Sequence, residues 1–250
     1  MSYNKSCRQM ADFKSIFLEA FEPDIQSGKI TSICDFGSGE SRNFTHLLKK
    51  YPNLIYIGIE PSKSHAQRAR QALTPFPNAK IYNASGYDPL PEMWGTFGLA
   101  ISLSVLEHVK QINKFLENSI GAVRAGGLVV HRWDLGHALH PSSIKERLQV
   151  WLGDRLPALL PEDKFVRTLL PSHVRRVMES KGVVVEQTTY NQMPSHKDFI
   201  KHLDQSDDIE VSLVRELVAL ESKMSQSLSD MEEVERLKLF PSVALWGRKA

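Results

Sequence analysis

The sequence predicts an α/β domain, a parallel sheet with helices on both faces, and three observations carry this. Short apolar runs alternate with amphipathic stretches at strand–helix–strand spacing along the first half of the chain. The run Phe97–Leu103 is almost wholly apolar, as a strand buried on both faces must be. The run ICDFGSGESRNF, Ile33 to Phe44, closes an apolar strand on an acid, turns through Gly37 and Gly39, and enters a helix at once. At 250 residues the chain suits one such domain with insertions, and two full domains would be cramped.

Residues Cys7 to Phe21 read as an amphipathic helix, with Met10, Phe13, Phe17, Leu18 and Phe21 on one side, closed by Pro23 and Gly28. There follow strand Ile30–Phe36, helix Ser41–Lys50 capped by Ser41, strand Leu54–Glu60 and helix Lys63–Leu73 capped by Ser62. A turn at Pro75 and Pro77 leads to a short strand around Lys80–Asn83 and then to Phe97–Leu103. Val109, Ile112, Leu116, Ile120 and Val123 stand at helical spacing, and Gly126-Gly127 is expected to end that helix before strand Leu128–Trp133. Val183–Tyr190 and Ser242–Gly247 read as the last strands.

Two segments break the alternation, 135–175 and 191–240. Ligands of open α/β sheets bind outside the carboxyl ends of the strands, so a segment following the fifth strand lies on that rim. Both are read as insertions forming a substrate cover, with a subdomain packing the sheet edge as the alternative. Within the second, Ile209, Leu213, Leu217, Leu220 and Met224 repeat at helical spacing and predict a core-facing stripe or a homodimer seam.

Hydrophobic residues make up 42% and charged residues 24%, which fits a globular chain rather than a disordered one. The formal charge of +2 makes no electrostatic case for nucleic acid or an anionic membrane as the main partner. Cys7 and Cys34 are the only cysteines, and Cys34 sits inside a strand, so a disulfide framework is not expected. With no signal-peptide core and no run long enough to span a membrane, a reduced, cytoplasmic setting is expected.

The glycine turn carries the chemistry. Gly37 and Gly39 allow a tight bend and a close approach of the backbone to a ligand, and the following helix start favours electron-rich atoms. A dinucleotide fingerprint needs a third glycine, and Arg42 stands there instead. Asp35 precedes the turn, and Glu60 ends the next strand about twenty residues on, where an acid can hold ribose hydroxyls. This pattern resembles class I S-adenosylmethionine-dependent methyltransferases. The resemblance implies a Rossmann-like, seven-stranded, mostly parallel sheet with an antiparallel last strand, and S-adenosyl-L-methionine as cofactor. It places Asp35, Gly37, Ser38 and Gly39 beside the methionine end and Glu60, followed by Pro61, on the ribose. The run Tyr82–Pro91 is similar to the family's adenine loop, which points to Ser85, with Ala84 and Asp88 as alternatives. The run SLSVLEHV is similar to the family's fourth-strand exit and places Ser102 and Leu103 along the methionine. Ser102 and Ser104 occupy positions where metal-dependent relatives carry an acid, so no metal is expected.

Methyl transfer from a sulfonium is an in-line displacement that needs alignment, exclusion of water and a group to take a proton. Histidine titrates near neutrality, so His137, His140 and His108 are the candidate bases, with Asp134 in support. His131 lies within the strand and reads as packing. The stretch WDLGHALHPSS, with Arg147 and Trp151, is similar to methyltransferases of polysaccharide- and sugar-modifying clusters. Trp133 and Trp151 would suit stacking on a sugar face. The expected reaction is methylation of an oxygen, with nitrogen second, of a small-molecule or sugar-related acceptor. A non-catalytic cofactor-binding partner subunit and a nicotinamide oxidoreductase are the alternatives. Glu60→Ala is expected to weaken cofactor binding with little effect on folding.

Overall fold

A computed structural model describes residue 14 and residues 16–88, 90–192 and 207–250. Most of the expected first helix, including Cys7, Met10 and Phe13, lies outside these residues, but Lys14 and residues 16–19 are helical. The order is then α1 (Glu22–Gln26), β1 (Ser32–Phe36), α2 (Thr45–Lys50), β2 (Ile55–Ile59), α3 (Lys63–Leu73), β3 (Ala79–Tyr82), β4 (Phe97–Leu103) and α4 (Ile112–Ala122). It continues through β5 (Val123–Asp134), α5 (Gly136–Leu139), α6 (Ile144–Arg155), α7 (Pro171–Ser180), β6 (Val183–Asn191), α8 (Asp207–Ser227), α9 (Glu233–Leu239) and β7 (Ser242–Lys249).

The strands form one seven-stranded sheet in the order β3-β2-β1-β4-β5-β7-β6. The first five run parallel, and β7 is antiparallel to both β5 and β6. Strand order reverses between β1 and β4, which opens a crevice at their carboxyl ends. Register aligns the site there, because Asp35 pairs with Gly58 on one side and Ile101 on the other. Each face is covered by apolar side chains spaced for that purpose. Phe115, Leu116 and Ile120 of α4 pack with Val174 and Met178 of α7 on one face. Leu18, Phe21, Phe44 and Leu47 cover the other. No helix among the described residues is long and apolar enough to cross a membrane.

Four local expectations are corrected. Ser41 does not cap a helix: it sits at φ 57° without a side-chain cap bond, and a 3₁₀ turn, Arg42–Phe44, precedes α2. Its hydroxyl instead lies 3.0 Å from the buried Tyr56 hydroxyl, a stronger demand than an exposed cap. Gly126-Gly127 does not end a helix, because α4 stops at Ala122 and β5 already begins at Val123. Trp133 is fully buried and donates its indole N–H to the Leu169 carbonyl, so it has no face for a sugar. On α8 the stripe is only partly turned inward: Leu213 and Leu217 are half-buried and Leu220 and Met224 exposed, while Glu221 and Ser225 are buried, with Glu221 accepting from the Gln192 N–H. A buried backbone donor at the end of β6 needs that carboxylate more than the helix needs an apolar contact. The side chain of Ile209 lies outside the described residues.

Candidate active site

The cradle is built where β1 ends. Gly37 (φ 78°) and Gly39 (φ 57°) both take left-handed backbone angles that glycine adopts without strain. The N–H groups of Gly37 and Ser38 donate to the Ile59 carbonyl at 2.8 and 3.1 Å, which folds the turn back onto the end of β2. A Cβ on Gly37 would lie 2.6 Å from a Val105 methyl, so this turn and the exit of β4 are in close contact. Above Gly39 no atom lies within 4 Å of a would-be Cβ, which leaves backbone open to a ligand.

Glu60 is fixed at the mouth of this cradle. One carboxylate oxygen accepts from the Gly39 N–H and the other from the Ser62 N–H, each at 2.8 Å. A carboxylate has about four acceptor sites, so both oxygens keep capacity for two neighbouring hydroxyls. Pro61 follows at once, and Asn83 donates its amide to the carbonyls of Glu60 and Pro61 at 2.9 and 3.0 Å. That ties the loop carrying Ser85 to the same end of the crevice. There the Ser85 N–H donates to Asp88 and the Ser85 hydroxyl accepts from the Tyr87 N–H, a self-bonded turn. The Ser38 hydroxyl is buried in the turn without a hydrogen-bond partner among the described residues. An open glycine backbone, a diol-sized carboxylate acceptor and an orphan hydroxyl fit an adenosine-type cofactor.

Asp35 is almost fully buried and accepts a hydrogen bond from Tyr56 at 2.8 Å. Burial pushes its carboxyl up to about 7, only partly offset by the Tyr56 bond and the Lys14 charge. Lys14 also donates to the Leu103 carbonyl at 3.4 Å. The sequence reading missed Lys14, whose signal is a lone cation one turn before Phe17 and Leu18 in an apolar helix face. Asp35 and Lys14 thus bring a buried carboxyl and a cation to one end of the crevice. The sign of the Asp35 effect is fixed by linkage. An acid raised from its unfolded value of 3.8 to about 7 stabilises the fold while protonated and loses that contribution as pH rises through 7. Asp35 is expected to contribute a loss on the order of 2 kcal/mol of stability between pH 5 and 7, beside that of the likewise raised Glu107, and Asp35→Asn to remove its share of the slope. Thermal melts across this range check it, and an unchanged slope in the variant would remove Asp35 as the source.

On the other side of the crevice the candidates separate. The Ser102 hydroxyl is fully buried and lies 2.8 Å from His131 Nδ1, whose Nε2 meets the Ser119 hydroxyl at 3.1 Å. Ser102 therefore offers the crevice no side chain. Burial holds His131 down to about 3, so it is a neutral packing group. Leu103 is buried and contributes its carbonyl to Lys14. His108 Nδ1 donates to the Phe165 carbonyl (2.9 Å), His140 Nε2 donates to the Lys238 carbonyl (3.0 Å), and His137 is exposed on α5. These three histidines are not gathered around one point. Asp134 closes the turn after β5 by accepting from the Gly136 N–H at 2.8 Å. Among the described residues no three His, Cys, Asp or Glu side chains form a metal-binding group.

Glu107 is a buried acid at the exit of β4. Its Oε1 accepts from the Asp134 N–H at 3.2 Å, while its Oε2 is buried without a hydrogen-bond partner among the described residues. Burial, with the nearby Asp134 charge, raises its carboxyl to about 7. The carbonyl of Glu107 accepts from the Arg167 N–H at 3.1 Å, joining the exit of β4 to the segment after α6.

Residues 34–129 match the family model described as a methyltransferase domain. No curated protein matches the chain in sequence. Among solved structures, a candidate sarcosine dimethylglycine methyltransferase from Galdieria sulphuraria superposes with a TM-score of 0.58 at 11% identity, over 92% of this chain and 83% of that one. Geranyl diphosphate C-methyltransferase from Streptomyces coelicolor A3(2), in complex with Mg2+, geranyl diphosphate and S-adenosyl-L-homocysteine, gives 0.56 at 11% identity over 89% and 72%. A SAM-dependent methyltransferase from Archaeoglobus fulgidus gives 0.54 at 11% identity over 94% of each chain. The chain has the Rossmann-like methyltransferase fold, with the methyltransferase-domain match running from the β1 strand to the β5 strand.

Proposed function

We propose that this protein transfers a methyl group from S-adenosylmethionine to an oxygen, with nitrogen second, of a small-molecule or sugar-related acceptor. The observation that carries the cofactor half is Glu60, held by two backbone N–H groups beside the open face of Gly39. When bound, the cofactor supplies a methyl already activated by the sulfonium. The chain does the rest. Glu60 accepts the two ribose hydroxyls, and Asp35 and Lys14 complement the amino and carboxylate groups of the methionine end. Segment 135–175 covers the rim and excludes water.

His108 is the favoured base, because its place on the β4 exit puts it beside the crevice. A carbonyl only accepts, so the bond from Nδ1 to Phe165 fixes the tautomer with Nε2 as proton acceptor. His140 is fixed in the opposite tautomer by Lys238. Asp134 supports the turn that carries His137 and His140. An acceptor screen with labelled methyl donor tests the reading, followed by alanine at each histidine. Loss of the base should lower turnover about a hundredfold or more while S-adenosylhomocysteine affinity stays within about twofold. Full turnover in all three variants would place proton removal elsewhere, with Glu107 next to be replaced.

A further inference from the structure

We propose that Arg167 receives an anionic group, a carboxylate or a phosphate, carried by the acceptor. Its Nε and Nη2 are buried without a hydrogen-bond partner, and its guanidinium forms no ion pair or ring contact among the described residues. Two other arginines also carry buried unpaired nitrogens, but each is held elsewhere. Arg132 donates to Asn191 and Ser242, and Arg236 to the carbonyls of Ser229 and Met231. Arg167 has only its backbone N–H engaged. A guanidinium that has lost water without gaining a partner costs the fold more than an ordinary unmade bond. Its planar fork matches a carboxylate or a phosphate through two parallel bonds. The residue as a whole is half-buried, so the fork is not sealed in.

The backbone sets Arg167 at the exit of β4. Its N–H donates to the Glu107 carbonyl at 3.1 Å, and the Phe165 carbonyl two residues earlier takes His108 Nδ1 at 2.9 Å. From behind, α6 presses on the same stretch: a Cβ on Gly153 would lie 1.9 Å from the Val166 carbonyl oxygen. The Thr168 N–H donates to Asp154 at 2.8 Å. Residues 165–168 are each pinned, so the Arg167 side chain leaves from a fixed base.

The acids of this region do not answer its charge. Asp154 is bonded to Thr168, Glu162 accepts from the Tyr87 hydroxyl, and Glu107 Oε1 accepts from the Asp134 N–H. Burial lowers the Arg167 pKa, and the Asp154 and Tyr87 charges offset this only in part. Tyr87 also accepts from the Lys110 N–H at 2.9 Å, which places that field beside the turn carrying His108. His173 shows its sign: burial first, then the Arg167 and Arg176 charges, push its imidazole down. An acceptor held there by an anionic group is fixed next to His108 Nε2, the proposed proton acceptor. The assignment rests on the methyl-transfer reading and narrows its acceptor to an acid or a phosphate ester.

The test has two arms. In the first, the free protein is melted in inorganic phosphate and in acetate at constant ionic strength, with chloride as reference. The parent should show a saturable rise in melting temperature, absent in Arg167→Met and reduced in Arg167→Lys. In chloride, Arg167→Met should melt at or above the parent, since it removes an unpaired buried charge. In the second arm, labelled methyl donor is supplied with a cell extract divided on an anion-exchange resin. Labelled product should come from the retained fraction. Arg167→Lys should raise the acceptor concentration for half-maximal transfer about tenfold or more, with S-adenosylhomocysteine affinity within about twofold. An equal phosphate and acetate effect in parent and Arg167→Met would overturn the proposal. So would Arg167→Met melting well below the parent in chloride, which would show that the fold itself pairs the guanidinium. Label confined to the unretained fraction, with phosphate still bound at Arg167, would make the site one for a free anion and overturn the acceptor role. No labelled product from either fraction would end the methyl-transfer reading and the acceptor role with it, whereas the melting arm would still decide whether Arg167 binds an anion.

Discussion

Glutamine at Glu60 is expected to weaken S-adenosylhomocysteine binding about a hundredfold by calorimetry, with the melting temperature of the free protein lowered by a few degrees. Each Glu60 oxygen already holds one backbone N–H and, in the proposed reading, takes one ribose hydroxyl as well. Glutamine keeps one such oxygen and turns the other into a donor. That donor faces either the Gly39 or the Ser62 N–H, and one ribose hydroxyl loses its acceptor. Hydrogen bonds to a charged group are worth about 1.5 to 3 kcal/mol each, which sets the hundredfold scale. Alanine is the poorer probe. The sequence reading expected Glu60→Ala to spare folding, but Glu60 also ties the glycine turn to the start of α3. Alanine would leave two backbone donors unpaired and disturb the cradle itself. Unchanged affinity in Glu60→Gln would remove the ribose role. A loss confined to the free protein's stability would make Glu60 a purely structural brace.

Most of the strands and helix α3 were legible because burial imposes its period on them. The uninterrupted apolar run of β4 is entirely buried, as its composition requires. Ser62 caps α3, accepting from the His65 N–H at 3.4 Å, as its place before the helix suggested. What failed was of another kind. Ser41 and Ser102 have ordinary local roles in sequence, but each is claimed by a buried group distant along the chain: Tyr56 fifteen residues on, and His131 twenty-nine residues on. No local pattern encodes such a demand. Lys14 was hidden for the same reason, because only the folded sheet brings it to Leu103, eighty-nine residues away. The candidate histidines could be named from the sequence, but their partners could not, because those come from segments far along the chain. His137 lies on the short helix α5 and His140 at its end, where Nε2 donates to the Lys238 carbonyl. The proposed cofactor half is local, one turn and two strand ends, so its geometry follows from a short stretch of sequence. The proposed acceptor half depends on how segment 135–175 folds back, and that is set by contacts no motif contains.

Alanine at Gly37 is expected to destabilise the free protein by about 3 kcal/mol, a fall in melting temperature of roughly 10 °C for a chain of this size. Two separate terms contribute. The backbone at Gly37 has φ 78°, where an L residue is strained by about 1 kcal/mol. The added methyl would also sit 2.6 and 2.9 Å from the two methyls of Val105, and such overpacking costs about 1 to 3 kcal/mol. The terms can be separated by experiment. Gly37→Ala combined with Val105→Ala removes the clash but leaves the strained angle, so the double variant should recover the packing part alone. A coupling of about 1 to 2 kcal/mol in that cycle is the signature of direct contact between the glycine turn and the β4 exit. No coupling would mean the two do not touch in solution. The same variant should bind S-adenosylhomocysteine poorly, because the Gly37 and Ser38 donors to Ile59 set the position of Gly39 and, through it, of Glu60. Restored stability without restored affinity in the double variant would show that the turn's backbone angle, rather than its packing, shapes the cofactor cradle.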